Sequence, residues 1–392
     1  MTLLLPPPLH SFSAAKGLSL PCCYLCTMHA RGILFLSYAA AMMSTIFIPN
    51  YASALGAGRF EIGIIGTAYG LAVLLSSYLV GRASDFTGRR VFVIAGVAVS
   101  AVAYLLHIPA QSSAALVGVR ALAGLGMGAL TPPLLARSRE TGEPLGTLAS
   151  FGSLGWAAGS LLAGIFATGG ESLGELEAYW LVFLVCFLLM LPALALSLRM
   201  AELEFLRVRT PLFPVHLMKR NLHIYLPSLL RHTGAFAVWL IFPLYLAALG
   251  ASKLWIGVIY FANTFSQFII MRHLNTGKPL LHLRLGLVLS MLVFLSYALL
   301  DSYLGILPVQ LFLALSYSML YVGSLRYLLE NNTEAATSVG LLGSFTSISM
   351  VLGPLLGGAI SHALGYTATM YFASGITLLA LIFHLWWSKR ST

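Results

Sequence analysis

Apolar runs of roughly 20 residues, each enough to carry a helix across a bilayer, recur from about Gly32 to Trp387. Inside hydrocarbon no water satisfies a backbone N–H or C=O, so a run of this kind must cross as a helix. The chain is 59% hydrophobic and 9% charged, with mean hydropathy +0.89. Soluble domains average about 45–50% apolar residues, so this chain lacks the polar residues to cover a soluble core. The fold class that follows is an all-α polytopic membrane protein. Spans are expected at 32–54, 61–81, 91–109, 113–136, 146–168, 178–198, 222–248, 254–272, 283–300, 304–326, 335–361 and 366–387. An even number of spans puts both termini on one side.

Charge tests that count. The net charge is +10. In a soluble protein this would raise nucleic acid as a partner, but no basic run here resembles a nucleic-acid arm. Lys and Arg collect on the cytoplasmic ends of membrane helices. With the N-terminus in the cytoplasm, 18 of the 22 Lys and Arg residues fall on that side. The outside receives Arg59 and Lys253, while Arg120 and Arg231 fall within spans. A wrong helix count would scramble this asymmetry, so both termini are expected in the cytoplasm of an integral cell-membrane protein.

The longest internal loop, 199–221, follows six spans and precedes six. It divides the chain into an N-terminal six-helix bundle, 28–198, and a C-terminal one, 222–392, with a short tail. Residues 1–27 are proline-broken and read as a flexible tail; Met28 is an alternative start. Cys22, Cys23 and Cys26 have no second cysteine pair that would complete a metal site. Short signatures recur between the halves. "GSLLAG" at Gly159–Gly164 answers "GPLLGG" at Gly353–Gly358, 194 residues later, and "TGRR" at Thr87–Arg90 answers "TGKP" at Thr276–Pro279. Duplicated halves are common in secondary transporters, whose pathway lies between them.

The loop "GRASDFTGRR" carries four charged residues in ten. Gly88 suits a tight turn where φ is positive, and Gly81 would let a neighbouring helix approach closely. Asp85 can accept from a helix N-terminus and from arginine. The loop pattern at Gly81, Asp85, Gly88, Arg89 and Arg90 resembles that of the major facilitator superfamily, with Phe86 where the family carries a basic residue. The fourth span is similar to the family's at Leu116, Arg120, Gly124 and Gly126, with Ala123 replacing Gln. The resemblance covers roughly residues 30–388. It implies two six-helix bundles rocking about a central site. It also implies a conformational latch in which Asp85 meets the start of span 11 and an arginine ending span 4, here Arg137 or Arg139.

Candidate substrate or coupling residues follow from cost. An arginine inside a span needs a partner, a cavity or an interface, which singles out Arg120 and, in span 7, Arg231 beside His232. Arg231 stands close enough to the span's start to snorkel toward the cytoplasm, and a histidine can titrate near neutral pH. Asn50, Tyr69, Trp156, Trp239, Asn263, Gln267 and Tyr317 complete an amphipathic cavity; Tyr and Trp offer an apolar face with a donor. Gly124, Gly155, Gly159, Gly353, Pro354, Gly357 and Gly358 read as helix-packing positions. In span 5 the family's exporters carry a Gly-Pro-x2-Gly-Gly element, which here has Ser160 and Ala163 in place of Pro and the first paired Gly.

Every Asp and Glu falls in a loop or near a span end. Proton-coupled carriers commonly use a deep carboxylate with a raised pKa; unless Glu61 or Asp301 reaches inward, coupling through His232 or facilitated diffusion is left, with protons a candidate coupling ion. A Walker motif is lacking, so direct ATP drive is not expected. The function read from the chain is a monomeric secondary transporter in the lipid bilayer, without cofactor or metal, exporting a lipophilic or metabolite-like small organic solute. The alternative is an uptake permease or uniporter for a sugar or nucleoside. A non-transporting sensor and a membrane enzyme are the readings of other classes. An enzyme would need an acid, nucleophile or metal cluster, and His216 and His223 have no carboxylate nearby in sequence.

Overall fold

The computed structural model describes residues 20–141, 145–202, 214–274, 277–332 and 335–390, with the side chains of 20–26, 85–86, 138–140, 145–146, 149, 335–336 and 388–390 set aside. The described chain is helical throughout. In order the helices are α1 (Leu20–Ala54), α2 (Arg59–Thr87), α3 (Arg90–Leu106), α4 (Ser113–Thr141), α5 (Leu145–Gly169) and α6 (Glu175–Leu198). They continue with α7 (Val215–Arg220), α8 (Leu222–Ala248), α9 (Lys253–His273), α10 (Pro279–Leu299), α11 (Tyr303–Asn331), α12 (Ala335–Leu364) and α13 (Tyr366–Arg390). Eleven of them are long and apolar enough to cross a membrane, and α3, with 17 residues, is apolar but shorter. The protein is thus an all-α polytopic membrane protein.

Two expectations about boundaries change. Helix α1 starts at Leu20, inside the stretch expected as tail, and Pro21 occupies its first turn, where a missing N–H costs nothing. The expected linker contains a short helix, α7; residues 1–19 and 203–213 lie outside the described residues. Interior prolines at 132, 133, 227, 243, 308 and 354 leave their helices unbroken, as membrane helices allow.

The contacts suggest an internal pseudo-symmetric arrangement. In the first half α1 packs on α5 and α6, α2 on α4, and α3 on α4 and α6. In the second half α8 packs on α12 and α13, α9 on α11, and α10 on α11 and α13. The same list of neighbours is written twice. Detail follows the same rule. Gly159 of α5 meets the Ala39 backbone of α1, and Gly353 of α12 meets the Thr233 carbonyl of α8, both pairs 194 positions apart. Gly56 and Gly250, also 194 apart, both turn the chain at φ 85°.

The halves meet along two seams, α2 against α12 and α5 against α9. Thr67 of α2 donates to the Val351 carbonyl of α12, 3.3 Å. Gly63 lies against Gly358, where an added Cβ would come within 2.9 Å of the facing Cα; Gly257 meets Gly164 at the same 2.9 Å. Both crossings sit at the end of the molecule away from the α2–α3 loop, and that end is called the sealed face below.

Candidate functional site

Arg120 lies seven residues into α4, about 10 Å along its axis, and is 3% exposed. Its Nη1 donates to Ser44 Oγ, 3.1 Å, and its Nη2 to Thr45 Oγ1, 3.5 Å, both on α1. The guanidinium stands over the Tyr69 ring of α2, 4.2 Å from the centroid. Its Nε is buried without a hydrogen-bond partner. Two hydroxyls and one ring therefore hold a buried cation, and no carboxylate is among its described bonds. Gly124, one turn further along α4, lets α2 come this close: an added Cβ would meet Ala72 Cβ at 2.9 Å.

Arg231 is equally buried, at 3%, but is held differently. Its Nε donates to Ser290 Oγ of α10, 2.9 Å, and Ser290 pairs with Ser316 of α11 at 3.1 Å. Phe294 and Tyr317 flank it at 5.7 and 5.5 Å. Nine residues into α8, and tied to an inward hydroxyl, the side chain does not snorkel to the membrane surface; that expectation is corrected. His232 keeps Nδ1 2.7 Å from the Ser228 carbonyl of its own helix and meets Tyr317 edge-on at 5.9 Å.

The remaining candidates separate into exposed and buried sets. Trp156 is 43% exposed and leans on Tyr38 at 5.9 Å. Tyr317 stacks on Tyr321 at 5.7 Å. Trp239 packs on Tyr260 at 4.5 Å, within an aromatic group that includes Phe242 and Tyr297. Gln267 donates to Asn263 Oδ1, 2.6 Å, and Asn263 donates to the Gln310 carbonyl, 3.2 Å. Asn50 Oδ1 is buried without a partner.

The sequence reading missed Ser44, Thr45, Ser290 and Ser316, which hold the two arginines. It also missed Gln310, which is fully buried and faces Tyr297. Gln310 stands 190 positions after Arg120, the offset that also separates Gly286 from Gly96 and Leu320 from Leu130 in matching crossings. That register was available in the sequence; the hydroxyl partners had no local signal.

In the α2–α3 loop, Gly88 has φ 102°. Gly81 would meet Pro132 at an ordinary 3.6 Å, so close helix approach is not what calls for glycine there. Arg90 Nη2 donates to the Leu198 carbonyl and Arg137 Nη2 to the Ala201 carbonyl, both 2.7 Å, at the chain's exit from α6. Arg89 is buried. The side chains of Asp85 and Arg139 lie outside the described ones. The packing candidates serve the seams and their flanks: Gly155 and Gly159 face α1, Gly353 and Gly357 face α8, and Pro354 and Gly358 face α2.

The Major Facilitator Superfamily model matches residues 32–348. Multidrug resistance protein MdtG of Citrobacter koseri is 26% identical over 381 residues, covering 91% of this chain and 93% of the relative. Among solved structures, a bacterial homologue of the human lysosomal transporter Spinster, inward-facing and occupied, aligns at TM-score 0.79 with 15% identity, covering 95% and 98%. The nucleoside transporter NupG aligns at TM-score 0.72 with 11% identity, covering 92% and 98%. The relatives are transporters, not enzymes, and the fold is theirs. With the repeated neighbour list and the two seams, the matched span shows that this chain belongs to the major facilitator superfamily, as a membrane transporter of the alternating-access type.

Proposed function

We propose that the chain is a permease or uniporter for a small, acceptor-rich organic solute of the sugar or nucleoside kind. The observation that carries this reading is Arg120, a buried cation with an unpaired Nε and only hydroxyl partners. A buried charge without a counter-charge is costly. A solute oxygen that accepts from the guanidinium lowers that cost, and the adjacent Tyr69 offers an aromatic face to a sugar or base. A chamber with donors and no deep carboxylate disfavours polycations. Solved nucleoside transporters share the fold, which supports this class over the lipophilic one.

The reading takes the helices as twelve spans in two six-helix bundles, 28–198 and 222–392, with the linker 199–221 and both termini in the cytoplasm. Asp85, with Arg89, Arg90, Arg137 or Arg139, serves as the cytoplasmic latch. Replacement of Asp85 by Asn lowers turnover more than solute affinity on this account, and unchanged turnover removes the latch.

A second reading is export of a lipophilic compound. It draws on the full-length similarity to a multidrug resistance protein and on Trp156, 43% exposed beside Tyr38. Counterflow in proteoliposomes separates the two. Labelled nucleosides and sugars, then lipophilic cations and dyes, are tested with and without an imposed pH gradient. Exchange of a nucleoside or sugar that ignores the gradient supports the first reading; gradient-driven movement of dyes alone overturns it.

A further inference from the structure

Only two basic residues, Arg59 and Lys253, are expected on the outer side of the membrane, and the structure places both across a seam between the halves. Arg59 is the first residue of α2 and Lys253 the first of α9, 194 positions later. Arg59 Nη1 donates to the Ser361 carbonyl in the last turn of α12, 2.6 Å. Its guanidinium lies 4.3 Å from the Tyr366 ring centroid at the start of α13. Lys253 Nζ lies 3.4 Å from Glu171 Oε1, just past α5, and 4.7 Å from the Tyr179 ring centroid of α6. Each cation thus reaches the end of the fifth long helix, and an aromatic ring on the sixth, of the opposite half.

The floor beneath each cation is also repeated. Under Arg59, Gly63 meets Gly358 and the Pro354 carbonyl; under Lys253, Gly257 meets Gly164 and the Ser160 carbonyl. Gly63 and Gly257, Gly164 and Gly358, and Ser160 and Pro354 are each 194 apart. Glycine crossings give close backbone packing but few directional bonds, and lipid competes well for apolar helix surface. Among the described residues, the strong directional contacts at the rim are those of the two cations. Arg59 acts on the negative end of a helix, on a carbonyl that also accepts from Gly365 N–H. Lys253 acts on a carboxylate whose side chain is 50% exposed. An open cavity of about 450 Å³ beside Arg59, lined by Ser53, Ile62, Leu244, His362 and Tyr366, brings solvent to the first of these bonds. Water can replace the Ser361 carbonyl there as the halves part.

We propose that Arg59 and Lys253 are a matched pair of clamps that hold the sealed face shut and set how often it opens. The proposal rests on the alternating-access reading and adds to it the two residues that govern one of its gates. The clamps differ in chemistry. Salt screens the Lys253–Glu171 pair, which is solvent-accessible, and acts less on the Arg59 bond to a neutral carbonyl.

The test uses the full-length protein in lipid nanodiscs, with Cys22, Cys23, Cys26 and Cys186 replaced and spin labels on Phe60→Cys and Leu364→Cys, both exposed positions. Distance distributions across the seam report the open fraction. Arg59→Ala is expected to raise it about 10-fold and Lys253→Ala about 3-fold. The double variant is expected to raise it about 30-fold, since separate seams act independently. Lys253→Arg keeps the parent distribution, and 1 M salt opens Arg59→Ala further while leaving Lys253→Ala unchanged. A double variant with the parent distribution overturns the proposal, as does opening in Lys253→Arg equal to that in Lys253→Ala. Counterflow run on the parent protein in parallel keeps the two readings apart. Shifted distances in a protein that exchanges no solute uphold the clamps and sink the transport assignment.

Discussion

The sealed face and the buried arginines lie in one molecule but obey opposite rules. At the sealed face the two halves repeat each other position for position: Gly63 and Gly257, Gly164 and Gly358, and the cations Arg59 and Lys253. At the arginines the repeat is broken. The position equivalent to Arg120 holds Gln310, and the position 194 before Arg231 holds Ser37. Arg120 reaches from α4 toward α1, whereas Arg231 reaches from α8 toward α10. A seal needs only complementary surfaces that part and rejoin, and two copies of one surface suffice. A chamber must fit a solute that has no two-fold symmetry, so its two walls are free to diverge. On the proposed function, the break in symmetry is where selectivity is expected to lie.

The comparison is broken most directly at Arg120. Arg120→Ala removes the donor that the solute would use, and the apparent affinity in equilibrium binding is expected to fall about 30-fold, matching roughly 2 kcal/mol for hydrogen bonds to a charged group. Unaltered affinity in a folded variant takes Arg120 out of the site. Next in size is the seam. Gly63→Val and Gly257→Val should each slow exchange about 10-fold, with the two losses agreeing within about twofold, because each side chain meets the same backbone crossing. Unequal losses would show that the seams are repeated in sequence but not in work. The smallest change is expected at Arg231. Its bond to Ser290 is spent inside one half, so Arg231→Met should lower the thermal midpoint by about 3 °C and leave the Michaelis constant within about threefold. A drop in affinity as large as that for Arg120→Ala would put Arg231 into the chamber as a solute ligand.

Much of the architecture was legible before any coordinates. Hydrocarbon forbids every structure but the internally bonded one, so spans could be read from the length of apolar runs, and α2, α8 and α13 begin within a few residues of expectation. The first helix departed because Pro21 fits a first turn as readily as it breaks an interior. Arg120 and Arg231 were legible as costly residues, but not which groups each would meet. That depended on Ser44, Thr45 and Ser290, whose hydroxyls carry no signal in their own neighbourhoods. Arg59 and Lys253 were counted as the two outer cations and then set aside, since a loop cation at a span end ordinarily faces water.

The sequence by itself determined the apolar spans and their lengths, the clustering of charge between them and the 194-residue repeat, because each is a property of spacing along one chain. Only the tertiary structure decided that Arg59 and Lys253 cross to the opposite half, that Arg120 reaches α1 while Arg231 reaches α10, and that the repeat holds at the seal and fails at the arginines. Those are facts of juxtaposition. They arise from residues between 59 and 302 positions apart that lipid exclusion and close glycine packing bring within a few ångströms, and spacing along the chain carries no record of that.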